Sequence, residues 1–183
     1  MTGDPLRRGP RVHIRPIVPS DENQFLERAI ASRSLHRPWS HPPTTPAAFR
    51  DHVAAFGGAN SAGLVVCRNE DRAIVGYFGL GQIVYGKFRN AYLGYYAFRP
   101  FDGQGYMREG LELVLRHAFA DLRLHRVQAS IQPGNEASIA LVRSAGFRKE
   151  GLALRYLKIG GRWRDHEQWA ITVEDRRARR GRP

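Results

Sequence analysis

"FDGQGYMREGLELVLRHAF", Phe101 to Phe119, changes character within a few residues. A strand-like run, "NAYLGYYAF" (90–98), ends just before it, and two glycines, Gly103 and Gly105, then flank a single residue. Beyond them Met107, Leu111, Val114, Leu115, Ala118 and Leu122 recur at intervals of three and four, the apolar stripe of a helix. Strand, glycine turn and helix in that order predict an anion site. The first helical N–H groups lack partners, and the helix dipole places about half a positive charge at the turn. Phosphate is the natural ligand, and a helix start without a ligand is the alternative. A dinucleotide loop would need glycine where Arg108 stands, and no Gly-Lys-Ser/Thr follows for a nucleoside triphosphate, so neither fingerprint is met.

Working outward toward the N-terminus, "VHIRPIV" (12–18) reads as a strand ended by Pro19-Ser20, with Ser20 as N-cap of a helix whose Phe25, Leu26, Ala29 and Ile30 share a face. Thr45-Pro46 opens a second helix, which carries Phe49, Val53 and Phe56 and closes at Gly57-Gly58. "GLVVCR" (63–68), "AIVGYFGLGQIV" (73–84) and 90–98 then form an antiparallel meander. On the other side, "HRVQASI" (125–131) is a strand. Asn135 caps a short helix that Gly146 stops, and "ALRYLKI", Gly160-Gly161 and "RWRDHEQWAIT" make a hairpin. The predicted order is βααβββαβαββ, a mixed α/β fold of the α+β kind with a mostly antiparallel central sheet flanked by helices.

The 183 residues carry a formal charge of +12, and 42% of them are hydrophobic, enough for one core. We expect one domain over 11–173, with flexible tails at 1–10 and 174–183. The second tail holds five Arg against two acids and offers a contact for RNA or the ribosome. One cysteine, Cys67, precludes an internal disulfide and reads as a core or edge-strand thiol. The scattered histidines predict no metal site. No apolar run approaches a bilayer span and no leader-like segment opens the chain, so a cytoplasmic protein without membrane contact is expected, as monomer or homodimer.

Residues 11–173 together resemble the GNAT superfamily of acyl-CoA-dependent N-acetyltransferases. The 101–119 stretch is similar to the family's pyrophosphate loop and helix, Q/R-x-x-G-x-G/A. Asp102 stands where Gln or Arg is usual, and Met107 where a small residue is usual. The block 125–171 is similar to the RimJ/RimL-like group, which acetylates α-amino groups including those of ribosomal proteins. It carries Asn135/Ser138, Gly146/Phe147, Glu150/Gly151 and Arg164/Asp165, and "SRSLHRPW" is similar to a Leu-x-x-Trp feature of the same group. The resemblance implies the GNAT fold and acetyl-CoA as co-substrate, bound by Ala97, Phe98, Gly103, Gln104, Gly105, Tyr106, Met107, Asn135 and Ser138. Ala97 and Phe98 would lend backbone groups to the pantetheine arm and the thioester oxygen.

The chemistry then needs a neutral amine and a tolerated thiolate. The Tyr that protonates the thiolate in many relatives is replaced by Val142, which leaves the hydroxyl of Ser138, with Asn135 beside it. The group's A-E-x-G-Y carboxylate is replaced by Tyr92, which leaves Glu150 as a candidate base. Trp39, Tyr85 and Tyr92 would border the acceptor. An α-amine near pKa 8 is easier to deprotonate than Lys near 10.4, which favours a protein N-terminus, a ribosomal protein among them. A small amine (polyamine, amino acid or antibiotic), an RNA- or ribosome-binding module and a catalytically degenerate acyl-CoA sensor are the alternatives.

Overall fold

The computed structural model describes residues 3–180, and within them the alternating and helical patterns become eight strands and six α-helices. The strands are β1 (Arg7–Arg8), β2 (Val12–Pro16), β3 (Ala62–Arg68), β4 (Ile74–Val84), β5 (Asn90–Ala97), β6 (Arg126–Ile131), β7 (Arg148–Ile159) and β8 (Arg162–Thr172). They form one sheet in the order β1-β2-β3-β4-β5-β6-β8-β7. Every neighbouring pair is antiparallel except β5 with β6, which is parallel.

The helices are α1 (Glu22–Ala31), α2 (Arg33–His36), α3 (Pro46–Ala55), α4 (Tyr106–Arg116), α5 (Glu136–Ala145) and α6 (Val173–Arg180). Strand alternation divides the core. In β3, Leu64 and Val66 pack with Leu111, Val114, Ile139 and Val142 of α4 and α5, whereas Val65 and Cys67 pack with Phe25, Ala29 and Phe49 of α1 and α3. The sheet is thus covered by α1 and α3 on one face and by α4 and α5 on the other. Cys67 is a buried core thiol, and burial pushes it up to about 11, above the usual thiol range.

Three local expectations change. Ser20 does not cap α1: a 3-10 turn (Pro19–Asp21) precedes it, and Asp21 accepts Val18 N–H at 2.9 Å while pairing, buried, with Arg15 at 2.7 Å. The segment expected as an N-terminal tail contains β1, which pairs with β2 and is tied by Arg7 Nε–Asp121 at 3.0 Å to the π-helical turn His117–Asp121 that follows α4. The expected C-terminal tail begins with α6, where Arg176 bonds Glu112 of α4 at 3.0 Å and Asp175 pairs with Arg148. Both segments are longer in structure than their composition announced, because ion pairs rather than apolar burial hold them.

Candidate active site

The site begins with a strand that loses its neighbour. β5 pairs with β6 from Asn90↔Arg126 to Tyr92↔Gln128 and no further, although β5 continues to Ala97. On its other side β4 is bulged between Gly81 and Val84, at the level of that short pairing, with Gln82 at φ +49. A bulge there adds local twist and turns β5 away from β6. Phe98 N–H donates to Val75 O at 3.0 Å. Antiparallel alternation therefore gives the backbone groups of residues 94, 96 and 98 to β4 and points those of 93, 95 and 97 into the wedge.

A cleft of about 560 Å³ occupies the wedge. Gly103 and Gly105 form its floor at φ +72 and +81, a left-handed conformation that side-chain-bearing residues adopt only with strain, and α4 starts at Tyr106. The turn is braced from the far end of the chain. Arg11 donates to Gln104 O at 3.1 Å and to Glu109 Oε2 at 3.1 Å, and lies over the Tyr106 ring at 4.8 Å. Met107, bulky where a small residue was expected, fits because Gly76 of β4 faces it: a Cβ there would lie 2.1 Å from the Met107 sulfur. Asp102 does line the cleft, but so does Arg108, and the guanidinium groups of Arg28 and Arg68 stack on neighbouring Phe101 at 5.2 and 5.1 Å. Arg108 thus offsets Asp102 at this end, whereas Arg68 is itself paired with Asp71.

The opposite wall is the first turn of α5. Asn135 caps it, with its Oδ1 accepting Ser138 N–H at 3.2 Å, and this fixes Ser138 at the mouth of the wedge. Ser138 Oγ lies 2.5 Å from the Tyr95 hydroxyl, which also reaches Ser138 O at 3.3 Å. Burial pushes the Tyr95 phenol up to about 12, with the Ser138 hydrogen bond opposing it. Across the cleft, His36 Nε2 donates to Ala97 O at 2.8 Å; burial lowers its pKa, and its Nδ1 is buried without a partner. Gln132 holds Trp39 O at 2.9 Å, so Trp39 closes one side of the mouth near Gly134.

Seven residues expected at the site line this cleft: Trp39, Ala97, Gly103, Gly105, Met107, Asn135 and Ser138. Gln104 and Tyr106 flank the turn without facing the cavity, and Tyr85 stands exposed in the β4–β5 loop. Phe98 needs correction. Its side chain is buried in the α1–α3 core, its N–H is bonded to Val75, and its carbonyl accepts Phe101 N–H at 3.0 Å, so no backbone group is left for a ligand. Glu150 needs correction too: it forms a two-pronged pair with Arg126 and meets Arg148 at 3.0 Å, away from the cleft. The Arg126 hydrogen bond, followed by the charges of both arginines, holds its carboxyl below the usual range, which makes it a poorer base.

Tyr92 faces the sheet side opposite Tyr95. Burial and the neighbouring Tyr156 raise its pKa. Asp165 accepts Arg155 N–H at 2.7 Å and His166 bonds Arg164 O at 2.9 Å, so both are held by arginine main chains. Tyr95 and His36 were missed. The signal for Tyr95 was the period of two that sets it beside Ala97; for His36 no pattern was available, because the contact spans 61 residues. Among the described residues no group of three or more His, Cys, Asp or Glu could hold a metal ion, and no helix is long and apolar enough to cross a membrane.

Residues 11–148 match the family described as the acetyltransferase (GNAT) domain. The chain belongs to that family. It is 39% identical over 105 residues to the probable N-acetyltransferase YjcK of Bacillus subtilis (strain 168), covering 57% of this chain and 58% of the relative. It is 37% identical over 106 residues to the ribosomal protein uS5-alanine N-acetyltransferase of Escherichia coli (strain K12), covering 58% and 55%. The matches thus span somewhat over half the length of these curated relatives. Among solved structures, Mycobacterium smegmatis RimJ in complex with CoA-disulfide superposes with a TM-score of 0.83 at 28% identity, covering 91% of this chain and 87% of that one. The GNAT fold therefore accounts for the parted strands and the glycine turn together, and the RimJ/RimL resemblance of the 125–171 block agrees with these neighbours.

Proposed function

We propose that this GNAT chain transfers acetyl from acetyl-CoA directly to an amine, and that its acceptor is the α-amino group of a protein or peptide N-terminus, ribosomal proteins included. The observation that carries the first part is the convergence of three features on one cleft: a glycine turn at a helix start, a strand edge that no neighbouring strand covers and a hydroxyl at a second helix start. In this reading the turn amides from Gly103 to Met107, with Arg108, hold the pyrophosphate. The backbone groups of Tyr95 and the N–H of Ala97 align the pantetheine arm as a missing strand would, with the Ala97 carbonyl held by His36. The helix start and Ser138 face the sulfur. As the amine nitrogen bonds to the acetyl carbon and the C–S bond breaks, the amine loses one proton and the sulfur gains one. The dipole of α5 and the Ser138 hydroxyl lower the cost of the transient thiolate.

The acceptor reading rests on where the acids are. Among the described residues Asp102 is the only carboxylate lining the cleft, and it sits at the glycine turn with Arg108. On the sheet beyond the mouth, Glu150 is paired with Arg126 and Arg148, and Glu167 with Lys149 and the Trp169 Nε1–H. A polyamine would have to compete with these cations for both carboxylates. An α-amine, near pKa 8 in water, requires about 2.4 units less deprotonation than Lys, roughly 3 kcal/mol, and so tolerates a site without a dedicated carboxylate base.

The test is acetyl-CoA turnover read as free thiol over alanine- and serine-initiated peptides, spermidine and single amino acids. Peptides turning over at least tenfold faster, as kcat/KM, support the reading. A preference for spermidine moves the acceptor to small cations. Binding without turnover on any amine leaves an acyl-CoA sensor.

A further inference from the structure

Position 142, from which many relatives present a phenol to the sulfur, is here a buried valine. A phenol nonetheless enters the cleft from another element, Tyr95 of β5, and it meets the same serine that the reading above places opposite the leaving sulfur. We propose that Tyr95 is a positioning residue for acyl transfer: its hydroxyl switches the direction of the Ser138 O–H, inward when the cleft holds no anion and toward the sulfur when a thiolate forms. This inference rests on the Ser138 reading above and deepens it.

The geometry allows two arrangements of the same two hydrogens. With Tyr95 Oη 2.5 Å from Ser138 Oγ and 3.3 Å from Ser138 O, one arrangement has Ser138 donating to Tyr95 and Tyr95 donating to the serine carbonyl. Both hydrogens then turn inward, and the second bond is long and off the usual range. In the other, Tyr95 donates to Ser138 Oγ, which frees the serine hydrogen for the cleft. The short contact is kept in both, so the difference is one poor bond to a carbonyl against one charge-assisted bond to an anion. A developing thiolate therefore selects the outward arrangement, and a neutral thioester does not. Such selectivity for charge present only late in the reaction raises kcat without changing ground-state binding.

Tyr95 is not the source of the proton. Its phenol, held near 12 by burial, is a far weaker acid than a thiol near 8.5, so a tyrosinate does not accumulate. Asn135 completes the device, because the cap that receives Ser138 N–H keeps the serine from rotating off the phenol.

The experiment is a double-mutant cycle on the full chain: Tyr95→Phe, Ser138→Ala and both, with acetyl-CoA and the best acceptor of the panel above. Acetyl-CoA-induced melting shifts are followed alongside. Expected is a drop in kcat of about tenfold for Tyr95→Phe with KM for acetyl-CoA within twofold, a larger drop for Ser138→Ala, and no further drop for the double variant. A Tyr95→Phe loss that persists undiminished in the Ser138→Ala background overturns the inference while leaving Ser138 in place. A Ser138→Ala variant with unchanged kcat overturns the parent reading and this one with it. If Tyr95→Phe does not fold, fluorotyrosine installed at position 95 keeps the shape and strengthens the donor; kcat retained or raised supports the switch, and a loss as large as tenfold overturns it.

Discussion

The two edges of β5 part company beyond Tyr92. Toward β4 it is paired from Asn90 to Ala97, interrupted by one bulge; toward β6 it is paired over three residues and then bare. The first edge leads to Phe98, packed against Phe25 at 5.2 Å and without any free polar group. The second leads past Tyr95 and Ala97 into the cleft. One strand thus carries an edge that serves stability and an edge that no strand covers beyond Tyr92, where His36 holds the Ala97 carbonyl. Buried backbone groups normally find partners, so the bare edge implies an external one of strand-like chemistry.

The comparison can be broken at its strongest point first. Truncating Phe98 to Ala removes a fully buried ring and is expected to cost about 3–5 kcal/mol by urea unfolding; a cost below about 1 kcal/mol would show that the β4 edge is not the stabilising one. Next, Ser138→Ala should lower kcat about 10- to 100-fold while leaving the urea midpoint within experimental scatter, the reverse signature. Gly105→Ala lies at the junction of the two. Its φ of +81 makes any side chain strained, so a loss of about 1–2 kcal/mol should accompany a rise in KM for acetyl-CoA.

Smallest is Glu150→Gln, on the far side of β6. The folded carboxyl titrates lower than in the unfolded chain, so its contribution is full above about pH 4.3 and is lost as pH falls through the folded value. The variant should be about 0.5 kcal/mol less stable at pH 7, indistinguishable from the parent near pH 2, and unchanged in kcat at pH 7. A large loss of kcat would restore Glu150 to the chemistry.

Much of this was legible because it is local. The stripe from Met107 to Leu115, the Asn135 cap and Gly146 at φ +95 are each written within one helix and its flanks. The turn at Gly103 and Gly105 could be read as an anion site on the same grounds. What could not be read joins distant segments. His36 finds the Ala97 carbonyl through the packing of α2 on β5, and Glu150 looked free beside Arg148 and Lys149 until Arg126 arrived from the neighbouring side of the sheet. Phe98 failed for a subtler reason, since its place in the alternation is set by the Val75 contact and a shift of one residue exchanges the two edges. Charge misled at both ends, where Arg7 and Arg176 look solvated in a list of residues and are anchors in the fold.

Arg11 gives the glycine turn a dependence that its own residues do not record. The brace to Gln104 and Glu109 comes from more than ninety positions earlier in the chain. Phe101 to Leu115, transplanted into another sheet, would carry the recognisable signature and leave behind the part that stiffens it. The motif is therefore not a portable cassette: a graft needs the β2 entry segment as well, and a homologous turn lacking a counterpart of Arg11 should be read as a looser one.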